Sequence, residues 1–229
     1  IGDIGCFSLQ FNKIITAGEG GLMATNDTQL WQRALMYHDV IGGLRNNFPT
    51  DATLWGVNYR MPELLAAVAL VQLQRLDGLL HTMRSYKRTI QTALTPLLQA
   101  KGLYPQELPD PAGDAGIAFI FFAHTPQQAQ QLAQAIAAEN VEAYTLYQPD
   151  EVDYHVYTHW VPIVQKRAWS KNGGPWAWAA RPIDYSPAAC PRTLDLLARA
   201  VHIDVNPLLS GAEIEAVIEA LEKVVTRYG

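Results

Sequence analysis

The hydrophobic positions of the first forty residues predict two short strands followed by a helix. Apolar or small residues run from Gly5 to Leu9 and again from Gly21 to Thr25, and Gly and Asn bound both runs as they bound strands. Asn26 and Asp27 then precede an apolar stripe at helical spacing. Because short polar side chains cap helix N-termini, the pattern predicts a helix that ends near His38.

A second, longer helical pattern begins near Pro62 and consists mainly of good helix formers. Residues 41–54, with two adjacent glycines, two asparagines and a proline, predict a loop before it that can carry substrate contacts. Pro96 and the three prolines that follow it predict a loop after the helix.

The second half of the chain alternates between strand and helix patterns. The run GIAFIFFA, beginning at Gly116, is almost continuously apolar and predicts a strand buried on both faces. Thr125 and Pro126 then supply an N-cap and a first helical residue for a helix that reaches about Asn140. Further strands are predicted at residues 141–146 and 201–205, and further helices at 191–200 and 210–227. This alternation predicts an α/β domain.

Composition narrows the class of protein. The chain has 229 residues and a formal net charge of -5, with no run of Lys and Arg of the kind that nucleic-acid backbones require, so we expect no nucleic-acid partner. Cys6 and Cys190 provide neither a disulfide framework nor a metal cluster, which favours a cytoplasmic protein. A membrane-spanning helix needs about 18 apolar residues in a row, and no uninterrupted apolar stretch of the sequence is that long, so we expect no membrane partner. Since the sequence does not begin with Met, we expect a fragment of a longer protein.

Lys13 is the strongest candidate for chemistry. It lies between the two predicted strands, in IGDIGCFSLQFNKIITAGEGG, where the glycines of the turn permit a tight backbone path. An isolated lysine near a hairpin is usually a solvated surface residue, but Ser8 lies five residues upstream and the motif GVNYRM follows downstream. A positioned primary amine can bind an aldehyde covalently.

These motifs carry a resemblance. The segments GDIGCFSLQFNKIITAGEGGLMATND and GVNYRMPELLAAVALVQLQRLD resemble the DegT/DnrJ/EryC1/StrS family of sugar aminotransferases, which use pyridoxal 5'-phosphate (PLP). The resemblance implies an α/β fold, the C-terminal part of a fold type I PLP-dependent transferase. It further implies that residues 1–80 belong to the large cofactor-binding domain and that residues 81–229 form the small C-terminal domain.

The resemblance also implies roles for four residues. Lys13 is the catalytic residue and holds the cofactor, Ser8 binds the cofactor phosphate, and Asn58 reaches across a homodimer to the phosphate of the partner subunit. Arg60 is a substrate-binding candidate, because a guanidinium can hold a carboxylate through two parallel hydrogen bonds. A structural ion pair with a carboxylate such as Glu63 is an equal alternative for Arg60.

The six histidines show no spacing typical of metal ligands, so we expect no metal site. His155 and His159 lie beside Trp160 in the segment YHVYTHW, which allows either ordinary packing or a sugar pocket lined by aromatic rings. Ordinary packing of these aromatic side chains is the simpler interpretation.

The resemblance implies an enzyme of amino-sugar and polysaccharide biosynthesis. Its reaction would move an amino group from glutamate or glutamine to a keto or aldehyde carbon of a sugar, usually nucleotide-linked. Related dehydratases carry histidine in place of the lysine, and Lys13 argues against that activity. The alternative from a different class is a non-catalytic or regulatory fragment that keeps the fold. We expect residues 1–229 alone to be inactive and to bind the cofactor poorly, because no partner for its pyridine nitrogen can be located in them.

Overall fold

The computed structural model describes residues 2–186 and 189–229. The chain divides into two compact units, unit 1 (Ile1–Leu79) and unit 2 (Leu80–Gly229). The division falls inside one long helix, because residues Glu63–Ala100 form a continuous α-helix.

Unit 1 begins with a hairpin that matches the predicted pair of strands. Strands β1 (Gly5–Ser8) and β2 (Gly21–Ala24) pair antiparallel. Helix α1 (Thr28–His38) follows, and the carboxylate of its N-cap, Asp27, accepts hydrogen bonds from two backbone amides of the first turn. The strands and the cap are confirmed, because both patterns are local and depend on few neighbours.

The region predicted as a loop between α1 and the long helix is more structured than its composition indicates. It contains a one-turn helix, α2 (Gly42–Arg45), and a short 3-10 helix (Thr50–Ala52). The prediction of an irregular loop was wrong for these residues. Two buried glycines, Gly42 and Gly43, form the first turn of α2, and a Cβ at Gly42 would lie 2.5 Å from the Leu35 carbonyl oxygen.

The long helix α3 (Glu63–Ala100) continues past Pro96, so the predicted end of the helix at that proline was wrong. Proline removes one backbone hydrogen bond from a helix interior. Burial outweighs that loss here, since Leu94 and Leu98 on either side of the proline are both 0% exposed. By length and composition alone, an 18-residue window of α3 with a mean hydropathy of 1.2 is apolar enough to cross a membrane, and 0% of that window is buried.

In the described part of the chain, unit 2 contains a four-stranded antiparallel sheet and five helices besides the end of α3. The strands are β3 (Tyr104–Pro105), β4 (Ala118–Phe122), β5 (Ala143–Thr145) and β6 (Ala200–Asp204). The helices are α4 (Pro126–Ala137), α5 (Val161–Val164), α6 (Gly174–Ala177), α7 (Pro191–Arg199) and α8 (Gly211–Tyr228). The strand order is β3–β4–β6–β5. A 3-10 turn at Tyr157–His159 precedes α5.

Two helices of unit 2 have N-caps, of which the sequence predicted the one at Thr125. The Thr125 hydroxyl accepts a hydrogen bond from the Gln128 amide at 3.1 Å, with Pro126 in the first helical turn. Ser210 caps α8 in a reciprocal arrangement with Glu213, in which each side chain bonds to the backbone amide of the other residue.

Strand β4 is buried on one face only, which corrects the prediction of burial on both. Phe119 and Phe121 are at most 1% exposed, whereas Ile120 and Phe122 are half-buried. The continuous apolar run predicted burial on both faces, but β4 pairs antiparallel with its neighbours on both sides, and antiparallel sheets commonly bury one face only.

Burial is unequal between the units. Among the described residues of unit 1, three apolar side chains are buried, Leu9, Ala17 and Met36. Unit 2 buries most of the apolar core, in which Leu132, Val201 and other side chains are fully enclosed. The hydrophobic contribution to stability therefore lies mainly in unit 2.

An ion pair in unit 2 attaches the loop before β4 to helix α3. The Lys87 ammonium lies 2.8 Å from the Asp114 carboxylate, and the Lys87 side chain is 8% exposed. Nearby, Gly116 adopts a φ of +77°, and a Cβ there would lie 2.7 Å from the Arg84 amide nitrogen. The loop therefore lies directly against the helix backbone at a position that only glycine fits.

We predict that Asp114→Asn lowers the free energy of unfolding of unit 2 by about 3 kcal/mol, because it leaves the buried Lys87 ammonium without its counter-ion. Urea unfolding measures this change. Glu107→Gln, on an exposed side chain of the same loop, is the matched control and should change stability by less than about 0.5 kcal/mol. Equal effects of the two variants would contradict the account of the ion pair.

The phenol of Tyr144 should make the stability of unit 2 depend on alkaline pH. Burial, followed by the nearby Asp204 carboxylate, raises the pKa of Tyr144 from 10.0 to about 12. The phenol therefore contributes stability that is complete below pH 10 and is lost as the pH rises towards 12. The difference in unfolding free energy between wild type and Tyr144→Phe should stay constant up to pH 10 and then change in favour of the variant. A difference that already falls below pH 9 would contradict this assignment.

Candidate active site

The loop between β1 and β2, which carries Lys13, is closed at its base by the backbone of Leu9. The Leu9 amide donates to the Gly20 carbonyl at 2.9 Å, and the Leu9 carbonyl accepts from the Ala17 amide at 2.9 Å and from the Thr16 hydroxyl at 3.0 Å. The Leu9 side chain is 2% exposed and anchors the loop. The loop therefore has a fixed base, although its two strands are short.

Ser8 comes directly before Leu9 in the chain, and Lys13 comes after it, within the loop. Ser8 is the last residue of β1, and its hydroxyl accepts a hydrogen bond from the Gln10 amide at 3.3 Å. Lys13 follows in a turn that its own amide closes by donating to the Gln10 carbonyl at 3.1 Å. Both side chains are exposed, and among the described residues the Lys13 ammonium has no ion-pair or hydrogen-bond partner. The amine is therefore accessible to a ligand.

The glycine turn brings the second motif to this hairpin. Gly18 and Gly20 adopt φ values of +87° and +131°, which favour glycine. A Cβ on Gly20 would lie 2.7 Å from the Met61 methyl carbon, so the last residue of GVNYRM packs directly on the turn. The structure thus brings together the two motifs that sequence analysis singled out.

The GVNYRM segment is also attached to the end of helix α1. The Val57 amide donates to the Tyr37 carbonyl and the Tyr59 amide to the His38 carbonyl, both at 2.8 Å. Gly56 allows this approach, since a Cβ there would lie 2.0 Å from the Met36 carbonyl oxygen. The backbone is therefore held on both sides of residue 58.

Asn58 and Arg60 project from this segment with exposed side chains. Arg60 does not pair with Glu63, the carboxylate suggested by the sequence. Its Nη1 atom lies 3.1 Å from the Oδ1 atom of Asp39, while the Arg45 Nε atom lies 3.4 Å from Oδ2 of the same carboxylate. Sequence reasoning missed Asp39, because no local pattern signals a carboxylate 21 residues upstream of its partner.

An apolar groove of about 670 Å³ adjoins these elements in unit 1. Side chains of the hairpin, of α1 and of GVNYRM line it, among them Phe7, Leu22, Trp31, Leu35, Tyr59 and Met61. Most of its lining is apolar, whereas the polar groups that can bind an anion lie on the loop and at Asn58 and Arg60.

The histidine cluster of unit 2 is held by local contacts. The Asp153 carboxylate accepts a hydrogen bond from the His155 amide and pairs with the His155 ring, both at 2.7 Å. The Asp153 amide donates to the His159 ring at 2.9 Å. Partial burial raises the pKa of Asp153, but the bonds from the backbone and ring of His155 outweigh it and hold that pKa below its usual value.

These contacts favour the packing interpretation of the cluster over a sugar pocket. The Trp160 indole also bonds locally, to the Tyr154 carbonyl. No group of three or more His, Cys, Asp or Glu side chains suited to a metal ion occurs within residues 2–186 and 189–229.

We predict that Gly56→Ala separates GVNYRM from α1 and lowers the midpoint of thermal unfolding of unit 1, because its Cβ would overlap the Met36 carbonyl. Gly78→Ala is the matched control. A Cβ at Gly78 meets no atom within 4 Å, so this variant should stabilise the helix by up to about 1 kcal/mol. Differential scanning calorimetry separates the two outcomes, and a neutral Gly56→Ala would contradict the close approach.

Comparison with known proteins extends these observations. Residues 1–168 match the model of the DegT/DnrJ/EryC1/StrS aminotransferase family. Over 107 residues the chain is 34% identical to GDP-perosamine synthase of Escherichia coli O157:H7. The aligned region covers 45% of this chain and 29% of that protein. Over 137 residues the chain is 31% identical to L-glutamine:2-deoxy-scyllo-inosose aminotransferase of Streptoalloteichus tenebrarius. This second aligned region covers 56% of this chain and 31% of that protein.

Among solved structures, the aminotransferase from Psychrobacter cryohalolentis matches with a TM-score of 0.70 and 21% identity, over 100% of this chain and 57% of that one. The present chain thus spans little more than half the length of that protein. The resemblance inferred from the motifs and the predicted α/β fold are both confirmed. The chain belongs to the DegT/DnrJ/EryC1/StrS aminotransferase family.

Proposed function

We propose that the intact protein is a PLP-dependent aminotransferase of amino-sugar biosynthesis. The observation that carries this proposal is the closed loop that presents the Lys13 amine five residues after the Ser8 hydroxyl. The donor set of unit 1 fits PLP, because it offers an accessible amine for an aldehyde together with hydroxyl, amide and guanidinium groups for anions. Unit 1 then corresponds to part of the large cofactor domain (residues 1–80), and unit 2 to the small domain (residues 81–229).

Lys13 is the proposed catalytic residue. Its Nζ atom would hold the cofactor aldehyde and, when free, would take a proton from the substrate carbon as general base and return it as general acid. When bound, PLP supplies the ring that accepts electron density from the substrate carbon. The exposure of Lys13 supports this role, since a lysine committed to a structural ion pair would be unavailable.

Ser8 and Asn58 are the proposed phosphate-binding residues. A hydroxyl at the end of β1 can donate to a phosphate oxygen, and it lies next to the fixed base of the loop. Asn58 has its amide exposed on a segment whose backbone is held on both sides. We propose that this amide binds the phosphate in the second subunit of a homodimer, so that two copies share each active site.

Arg60 is the proposed anchor for the carboxylate of the amino donor, glutamate or glutamine. The Arg60 side chain is 42% exposed while one of its nitrogens is bound to Asp39, so further N–H groups remain available to a ligand. The proposed acceptor is a keto or aldehyde carbon of a nucleotide-linked sugar, which the name of the relative GDP-perosamine synthase supports. A cytoplasmic location and the absence of membrane and nucleic-acid partners belong to the same proposal.

Labelling tests this function directly. The intact protein is incubated with PLP, reduced with borohydride and digested, and we expect mass spectrometry to find the phosphopyridoxyl group on the Lys13 peptide. Lys13→Ala should remove the label and lower turnover with glutamate or glutamine by at least about 10³-fold. Lys171→Ala, at an exposed lysine of unit 2, is the control and should retain both.

Label on another lysine would contradict the assignment of Lys13. Absence of any label in the intact protein would favour the alternative function, a non-catalytic or regulatory protein that keeps the aminotransferase fold.

A further inference from the structure

Asp39 combines burial with an unusual set of partners. Its side chain is 7% exposed, and it is one of two buried charged residues among the described residues, the other being Lys87. A buried carboxylate is costly unless cations and hydrogen-bond donors surround it. Two guanidinium groups meet that need here, Arg60 at 3.1 Å and Arg45 at 3.4 Å, and the Ile41 amide adds a hydrogen bond at 3.3 Å.

The charges of this cluster do not cancel. One carboxylate faces two guanidinium groups, which leaves a net charge of +1 on side chains that are 54% exposed at Arg45 and 42% exposed at Arg60. A cluster that served only to neutralise the buried carboxylate would need one arginine. The excess positive charge lies at the surface, beside the segment that carries Asn58.

The backbone around Arg60 is already fixed by other contacts. The amides of Val57 and Tyr59 bond to the carbonyls of Tyr37 and His38, so the freedom left to Arg60 is mainly that of its long side chain. Arginine carries about 2 kcal/mol of rotamer entropy, which an anion would have to overcome on binding a mobile side chain. The contact with Asp39 restricts that side chain before any ligand arrives.

We propose that Asp39 is a positioning residue, which holds the Arg60 guanidinium in the orientation that binds the carboxylate of the amino donor. This inference rests on the proposed role of Arg60 in the aminotransferase reaction. Asp39 acts through Arg60 and does not touch the donor.

Positioning and simple electrostatics predict opposite signs for the same substitution. Asp39→Asn removes a negative charge beside Arg60, so Coulomb attraction alone would tighten the binding of an anion. If Asp39 acts by orientation, the same change weakens binding, because an amide holds a guanidinium less firmly than a carboxylate does. The sign of the change therefore separates the two explanations.

The experiment measures binding of glutarate, an unreactive dicarboxylate analogue of glutamate, to the intact protein by NMR of the arginine side chains. In wild type we expect glutarate to shift the Arg60 Nε–H resonance. Asp39→Asn should raise the dissociation constant at least about tenfold. Asp51→Asn makes the same change of charge at an exposed position of unit 1 and should leave it unchanged.

Wild type alone supplies a second measurement that does not depend on folding of the variant. The order parameter of the Arg60 Nε–H group should exceed about 0.6, whereas that of the exposed Arg33 should be lower. A mobile Arg60, unchanged or tighter glutarate binding in Asp39→Asn, or no glutarate shift at Arg60 in wild type would each overturn the inference. None of these results affects labelling of Lys13, which tests the proposed function separately.

Discussion

Closure of the β1–β2 loop by the backbone of Leu9 is the constraint on which the candidate site depends. The amide and carbonyl of this one residue bond to Gly20 and Ala17, which holds the two ends of the loop together while its side chain is buried. The Ser8 hydroxyl lies directly before this closure, and Lys13 lies within the loop that it closes. Three hydrogen bonds at one buried residue therefore fix the backbone at the base of the loop that carries the Lys13 amine.

The second motif reaches the same region through close backbone approaches. Met61 packs on Gly20, and Gly56 lies against the carbonyls at the end of α1, so neither glycine has room for a side chain. Asp39 then restrains Arg60 from the same helix end. The hairpin, α1 and GVNYRM are thus one assembly within unit 1, although it buries few apolar side chains and relies on hydrogen bonds and ion pairs instead.

The sequence predicted those features of the fold that depend on local patterns. The predicted caps at Asp27 and Thr125 are formed, because a short polar side chain before a helix bonds to amides two or three residues away. The continuation of α3 through Pro96 and the half-exposed face of β4 were not predicted, since both are decided by packing against distant parts of unit 2. For the candidate site, the motifs predicted Ser8, Lys13, Asn58 and Arg60, and these assignments stay predictions. Asp39 was not predicted, because its partners are brought to it only by the fold.

The most direct test of this account is a crystal structure of the intact protein with PLP. It predicts electron density that is continuous from the Lys13 Nζ atom to the cofactor, with a phosphate oxygen about 3 Å from the Ser8 hydroxyl. PLP bound at another lysine, or a phosphate remote from Ser8, would contradict the claim that the loop closed by Leu9 is the active site.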